Sequence, residues 1–168
     1  VAFVGGVPSS YMMRLYVWDS ILRALVFTNT TTGITNLAIS PDGNRLAFCT
    51  AAALRIADRA AQTNWVAASL TSASRPFPRF SADGNWLAYA RFDSPFHQTH
   101  LYDVQSRAAL LVSHALGSAD AGGGNSDSPD LSPDGRFVAF RTLATNVVSG
   151  GDGITRQIVL YDRQTRQN

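Results

Sequence analysis

Two histidines, His97 and His100, stand three residues apart in the segment RFDSPFHQTHLYD, with Asp93 and Asp103 close by in sequence. Imidazole and carboxylate are ordinary zinc ligands, so the cluster is the first candidate for metal chemistry. A protein zinc site needs further fixed ligands, and none accompanies this pair. The spacing suits one face of a helix, but the segment reads as a loop entering a strand, where His100 and Leu101 point to opposite faces. We therefore read both as solvated loop histidines and assign no metal.

Four other constellations fare similarly. The stretch ATNVVSGGDG, residues 144–153, offers Asn146, Ser149, Asp152 and backbone carbonyls to a hard cation. Calcium wants about six to eight oxygens and gains affinity with ligand charge, so one carboxylate reads as part of a flexible connecting loop. GGGN at 122–125 resembles a phosphate cradle, yet no lysine follows and no helix is predicted to supply oriented N–H groups. Ser113, His114 and Asp120 are the residue types of a hydrolytic triad, but no G-x-S-x-G elbow accompanies them. Cys49, the single cysteine, lies beside Phe48 in an apolar run and reads as a small core residue. No catalytic set and no cofactor follows from these residues.

The charged residues exclude other classes. All 14 basic residues are Arg and all 12 acidic residues are Asp, and the small excess of Arg is scattered rather than striped, which disfavours nucleic acid as a partner. Lys and Glu coat exposed helices, whereas Asp favours turns, so their replacement points to strands joined by turns. No apolar run approaches the ~18 residues needed to span a bilayer, so membrane insertion is not expected.

The elements that must position these residues come from an internal repeat. NLAISPDGNRLAFCT (36–50), FPRFSADGNWLAYAR (77–91) and SPDLSPDGRFVAFRT (128–142) align without a gap on Gly43, Gly84 and Gly135. Each is a strand, a tight corner and a strand. In the corner, Ser bonds forward, Pro presets φ, Asp42, Asp83 or Asp134 tolerates the turn, and Gly takes positive φ at little cost. Downstream, an apolar strand ends in Asp four times, at Asp19, Asp58, Asp103 and Asp162, and each carboxylate is placed to accept N–H groups of its own turn. A second hairpin follows, so each unit reads as four antiparallel strands, a to d.

Units of this length and make-up predict an all-β fold, a β-propeller fragment of about four four-stranded antiparallel blades, the first and last incomplete. The repeat units run at about 1–32, 33–72, 73–116 and 126–168, with a linker at 117–125, all in one partial domain spanning 1–168. Inner strands LAF, LAY and VAF are apolar on both faces, as strands packed between neighbouring blades must be. Their central Ala allows close approach of adjacent sheets. An immunoglobulin-like sandwich would not repeat one turn sequence at a near-constant period.

The SPDG corners followed by apolar-Ala-aromatic, together with the LYD strand, resemble the TolB-like, WD-repeat-like bacterial β-propeller repeats over nearly the whole chain. The C-terminal half is similar to a variant found in large exported bacterial proteins. That resemblance implies a non-catalytic interaction module, periplasmic or extracellular, whose partners are a protein or cell-envelope component and the remaining blades of a parent propeller. A second family with such propellers, the prolyl-oligopeptidase-type serine peptidases, implies the alternative of blades gating a hydrolase domain outside the fragment. The family often has Thr-Gly after the strand-c Asp, whereas here the turns continue DRQTR and DVQSR.

Overall fold

Strand b of each repeat carries large and small apolar residues in alternation, and because successive side chains of a strand face opposite ways, one face of the strand is bulky and the other nearly flat. This asymmetry organises the chain. The computed structural model describes residues 1–7, 10–29, 31 and 33–168, with the side chains of residues 6, 7, 10–13 and 29 outside the description. Among the described residues every regular element is a strand, and no helix is long and apolar enough to cross a membrane.

The first sheet joins β1 (Ala2–Val7), β2 (Ser10–Asp19) and β3 (Ala24–Asn29). The second joins β4 (Asn36–Ile39), β5 (Arg45–Cys49), β6 (Ala53–Asp58) and β7 (Thr63–Ser69). The third joins β8 (Arg79–Phe80), β9 (Trp86–Asp93), β10 (Phe96–Asp103) and β11 (Ala108–Leu111). The fourth joins β12 (Ser126–Leu131), β13 (Phe137–Thr142) and β14 (Gln157–Asp162). All pairings are antiparallel between strands adjacent in sequence, giving sheets of three, four, four and three strands.

Three apolar clusters cement the joints between sheets. Leu46 and Phe48 face back onto Ala2, Leu15 and Val17 of the first sheet. Leu87 and Tyr89 face back onto Ala47, Leu54 and Ile56, while Val138 and Phe140 face back onto Ala88 and Leu101. At each joint the large strand-b pair meets a strand-b alanine and one or two aliphatic residues of the preceding sheet, and the small alanine lets the sheets approach closely. The fourth sheet leaves Ile158 and Leu160 exposed on the face that the inner sheets cover with a following sheet.

The corners interlock as well. Gly43, Gly84 and Gly135 have φ of 73°, 69° and 64°, in the left-handed region that favours glycine. Arg45 Nη1 donates to the Gly84 carbonyl at 2.9 Å, and Ala82 N donates to the Pro133 carbonyl at 2.8 Å, so each corner is tied to the next. Gly135 lies on the Trp86 ring so closely that a Cβ would overlap the indole, and Arg163 covers the same ring, its Cζ 4.0 Å from the centroid.

The turns after strand c take a different route. Four residues after each strand-c Asp the backbone has positive φ, at Arg23 (50°), Gln62 (53°), Arg107 (58°) and Arg166 (57°), in the region that favours glycine. A side chain there costs about 1 kcal/mol relative to glycine.

Two predictions follow from this geometry. Gly43 has open space around its missing Cβ, with only Arg59 Nη1 at 3.9 Å. Gly43→Ala is therefore expected to cost only the backbone term, about 1 kcal/mol, whereas Gly135→Ala adds the clash with Trp86 and costs about 2 kcal/mol or more. Denaturant midpoints measure both, and equal shifts would contradict the corner packing. Gln62→Gly, at an exposed turn, is expected to raise stability by about 0.5–1 kcal/mol, visible as a higher melting temperature.

Candidate functional site

Strand connections place the loops of every sheet at two ends. The a–b corners and c–d turns share one end, and the b–c loops and d–a linkers share the other.

The carboxylates of the corner end are internally satisfied. Asp42 Oδ1 accepts from Ser40 Oγ at 2.5 Å and Asn44 N at 3.0 Å, and Asp83 and Asp134 repeat the pattern with Ser81 and Ser132 at 2.5 and 2.6 Å. Each Ser oxygen in turn accepts a backbone N–H across the corner, from Arg45, Trp86 or Phe137. The strand-c carboxylates do the same for their turns: Asp19 accepts from Ile21 N and Leu22 N, Asp58 from Ala61 N, Asp103 from Gln105 N and Ser106 N, and Asp162 from Gln164 N. Arg136 clamps Asp162 through Nη2 at 2.8 Å, and Arg45 reaches Asp58 through Nε at 3.4 Å. Carboxylates spent in this way hold turns and have little left for a ligand.

The linker end differs from the sequence reading at the histidines. His97 and His100 lie within β10, not in a loop, and His100 is only 5% exposed. Its ring stacks on Tyr89 with centroids 5.4 Å apart, and its Nε2 meets Asp93 Oδ2 at 2.8 Å. Burial pushes the Asp93 carboxyl up, but the hydrogen bond and charge of His100, with Arg91 alongside, outweigh it and hold the group below its ordinary value. His97 Nε2 donates to the Ala73 carbonyl at 2.8 Å. β9 runs on to Asp93 and pairs fully with β10, leaving only Ser94 and Pro95 to connect them, and this two-residue connection turns the expected loop into strand.

The long linker and the long b–c loop, read separately from sequence, form one packed cap. Val147 and Ala144 are buried. A Cβ on Gly124 would stand 2.7 Å from Ala144 Cα, and one on Gly122 would stand 2.5 Å from Val147 Cγ2, so only glycine lets the two backbones meet. Asn146 Oδ1 accepts from Gly123 N at 2.7 Å, Leu116 N donates to the Asn146 carbonyl at 2.7 Å, and Gln98 Nε2 donates to the Gly122 carbonyl at 2.8 Å. GGGN is thus a structural joint, and the loop at 144–153 is packed rather than loose.

The remaining candidates are placed as follows. Asp152 accepts from Ile154 N, Thr155 N and Thr155 Oγ1 at 2.7–2.8 Å, which holds its carboxyl down to about 2. Ser113 is buried and donates to Gln98 Oε1, His114 Nδ1 pairs with the Ala115 carbonyl, and Asp120 accepts from Ser118, so the three do not converge. Cys49 is buried, and burial pushes its thiol up to about 12. Among the described residues no three His, Cys or Asp side chains gather as a metal site would require. Of the aromatic residues, Trp65 donates Nε1 to Tyr102 Oη at 3.0 Å across a joint, Trp86 carries the Gly135 corner, and Tyr11 has its side chain outside the described residues.

Four similar sheets, fanned through corner and joint contacts, decide the architecture. The fold is that of a β-propeller fragment. TolB from Acinetobacter baumannii superposes with a TM-score of 0.64 at 20% identity, over 99% of this chain and 39% of that one. The putative TolB from Agrobacterium tumefaciens gives 0.62 at 21%, over 90% and 53%. The β-propeller domain of the Trilobed protease from Pyrococcus furiosus gives 0.64 at 15%, over 96% and 50%. The chain thus spans about two-fifths to half of the length of these propeller structures. No protein-family model matches the sequence, and no curated protein does.

The carboxylates of the propeller make a pH dependence. Hydrogen bonds lower Asp19, Asp42, Asp134, Asp152 and Asp162 below the ordinary 3.8. A depressed folded value contributes stability that is fully present above the unfolded value and lost as pH falls through the folded one. The melting temperature is expected to hold between about pH 5 and 8 and to drop below about pH 4, and a flat profile down to about pH 2 would contradict the turn bonding.

Proposed function

We propose that this chain is a non-catalytic interaction module of an exported bacterial protein, periplasmic or extracellular, which binds a protein or cell-envelope partner through the loops at its linker end. One observation carries the reading: the corner-end carboxylates are consumed by their own turns, while the two long connections of the linker end are fastened to each other and each exposes an apolar residue, whereas Ile21 and Leu22, the exposed apolar pair at the corner end, sit together on one short turn. Leu116 is 58% exposed and Ile154 85% exposed, on the two loops that the Asn146 bonds fasten together. Rigid loops lose little entropy on binding. The similarity to TolB supports the class by fold analogy, and the exposed Ile158 and Leu160 suit cover by further blades.

A photo-crosslinking amino acid placed at position 116 or 154 is expected to capture a discrete partner from the bacterial envelope, whereas one at Arg23, on the corner end, is not. With the crosslinker moved to the exposed Ala119 on the same linker, Leu116→Ser with Ile154→Ser should reduce capture at least about fivefold without lowering the melting temperature, since exposed apolar groups add little to folding. Equal capture from both ends would overturn the assignment.

The likeness to the Trilobed protease propeller favours one alternative, in which the blades gate a serine peptidase domain. Labelling of the full-length protein by a fluorophosphonate would support that alternative, and no labelling would count against it.

A further inference from the structure

Between the third and fourth sheets the linker end opens into a cleft of about 190 Å³ with basic walls. Arg75, on the segment leading to β8, Arg141 on β13 and Arg156 just before β14 contribute three guanidiniums, joined by His97, Asn125 and a single carboxylate, Asp127. Asp127 is already engaged: its Oδ1 accepts from Arg141 Nε at 2.7 Å. Arg75 and Arg156 are exposed and make no hydrogen bond or close ion pair with any described residue. Asn125 Oδ1 accepts from His97 N at 2.9 Å, which leaves the amide nitrogen as its donor into the cleft. The cleft therefore presents several unspent donors against one carboxylate that is already paired, and its three permanent guanidinium charges outnumber its one acid.

The backbone beside the cleft is strained in two equivalent places. Phe77 and Ser128 each stand four residues before a corner serine, each directly precede a proline, and have φ of 38° and 53°. Proline pushes the preceding residue toward extended backbone, and a side chain at positive φ adds to the cost of departing from it, so such residues persist where the surroundings hold them and cluster at binding sites. The second sheet has Asn36 and Leu37 at the equivalent positions and neither feature. The kinks shorten β8 to two residues and shift the β12 register between Asp127 and Asp130. Arg75 and Asp127, just upstream of the kinks, are the residues that line the cleft.

Size and charge together select the ligand. The volume is below the ~300–1,000 Å³ of sites that enclose whole small molecules. It suits one side chain of a longer segment. Planar guanidiniums match carboxylates with paired hydrogen bonds. We propose that this cleft is the anchoring subsite for an aspartate or glutamate carboxylate on an acidic segment of a protein partner. The inference rests on the reading of the linker end as the contact surface and adds the chemistry of what it contacts.

The probe is a short rhodamine-labelled peptide of alternating Asp and Glu, read by fluorescence anisotropy at low salt against the same peptide with Asn and Gln. The acidic peptide is expected to bind at least about tenfold more tightly than the amide peptide. Arg75→Ala with Arg156→Ala is expected to lower its affinity about tenfold or more with an unchanged melting temperature. Arg23→Asn with Arg55→Gln, which removes equal charge elsewhere, should change the affinity less than about twofold. Equal losses from the two double variants, equal binding of the two peptides, or displacement by inorganic phosphate at concentrations where acetate has no effect would each overturn the proposal. Unchanged peptide affinity in the Arg75 and Arg156 variant, with crosslinking at positions 116 and 154 intact, would reject the subsite and leave the contact surface standing. Peptide binding that depends on Arg75 and Arg156, without crosslinking at those positions, would do the reverse.

Discussion

Backbone reversal at a left-handed glycine, with no Cβ to hold the next sheet away, is the constraint on which the molecule depends. At Gly135 the missing side chain is replaced by the Trp86 ring of the preceding sheet, and Arg163 closes over that ring while donating to the Gly135 carbonyl at 3.0 Å. At Gly84 the neighbour is Ser40 Cβ, 3.3 Å from where a Cβ would stand. The same residue thus turns the chain and admits the adjacent sheet. At those two corners any other residue would compromise both, whereas Gly43, with open space around its missing Cβ, is required by its positive φ alone. The serine and aspartate around it act locally, and the glycine carries the contact between sheets.

The two ends of the sheets then diverge in chemistry. At the corner end, each carboxylate accepts N–H groups within a few residues, and arginines such as Arg45 and Arg136 tie corner to turn. At the linker end, the d–a and b–c connections vary in length and pack on one another through Gly122, Gly124 and Asn146. Recognition surfaces need positioned groups whose bonding capacity is unspent. The linker end gathers them around one cleft, in Arg75, Arg156 and the Asn125 amide, whereas the exposed corner-end arginines Arg23, Arg107 and Arg166 sit on separate turns.

What was legible in the sequence is what local chemistry encodes. The corner serine, aspartate and glycine span four residues and bond to one another, so their pattern shows without knowledge of distant contacts. The alternation in Leu46-Ala47-Phe48 likewise exposes strand b and its two-sided burial. The long-range contacts were hidden. His100 is buried because Tyr89 and Asp93 of the adjacent strand meet it, and GGGN is fixed by Ala144 and Val147 some twenty residues on. The strained residues Phe77 and Ser128 run against local preference before proline, so no reading of propensity would place them. The Arg cleft draws its three arginines from three separate places in the chain, the segment before β8, strand β13 and the loop before β14, none distinctive alone.

The one-sided bulk of strand b has an architectural consequence. Each joint receives a large pair from the following sheet against an alanine of the preceding one: Ala2 against Leu46 and Phe48, Ala47 against Leu87 and Tyr89, Ala88 against Val138 and Phe140. Since every seam is made the same way, a whole duplicated unit would find a matching neighbour on both sides. Such an array can grow or shrink by complete modules through gene duplication and loss without redesign of its seams, whereas a gain or loss of half a module leaves bulk facing bulk.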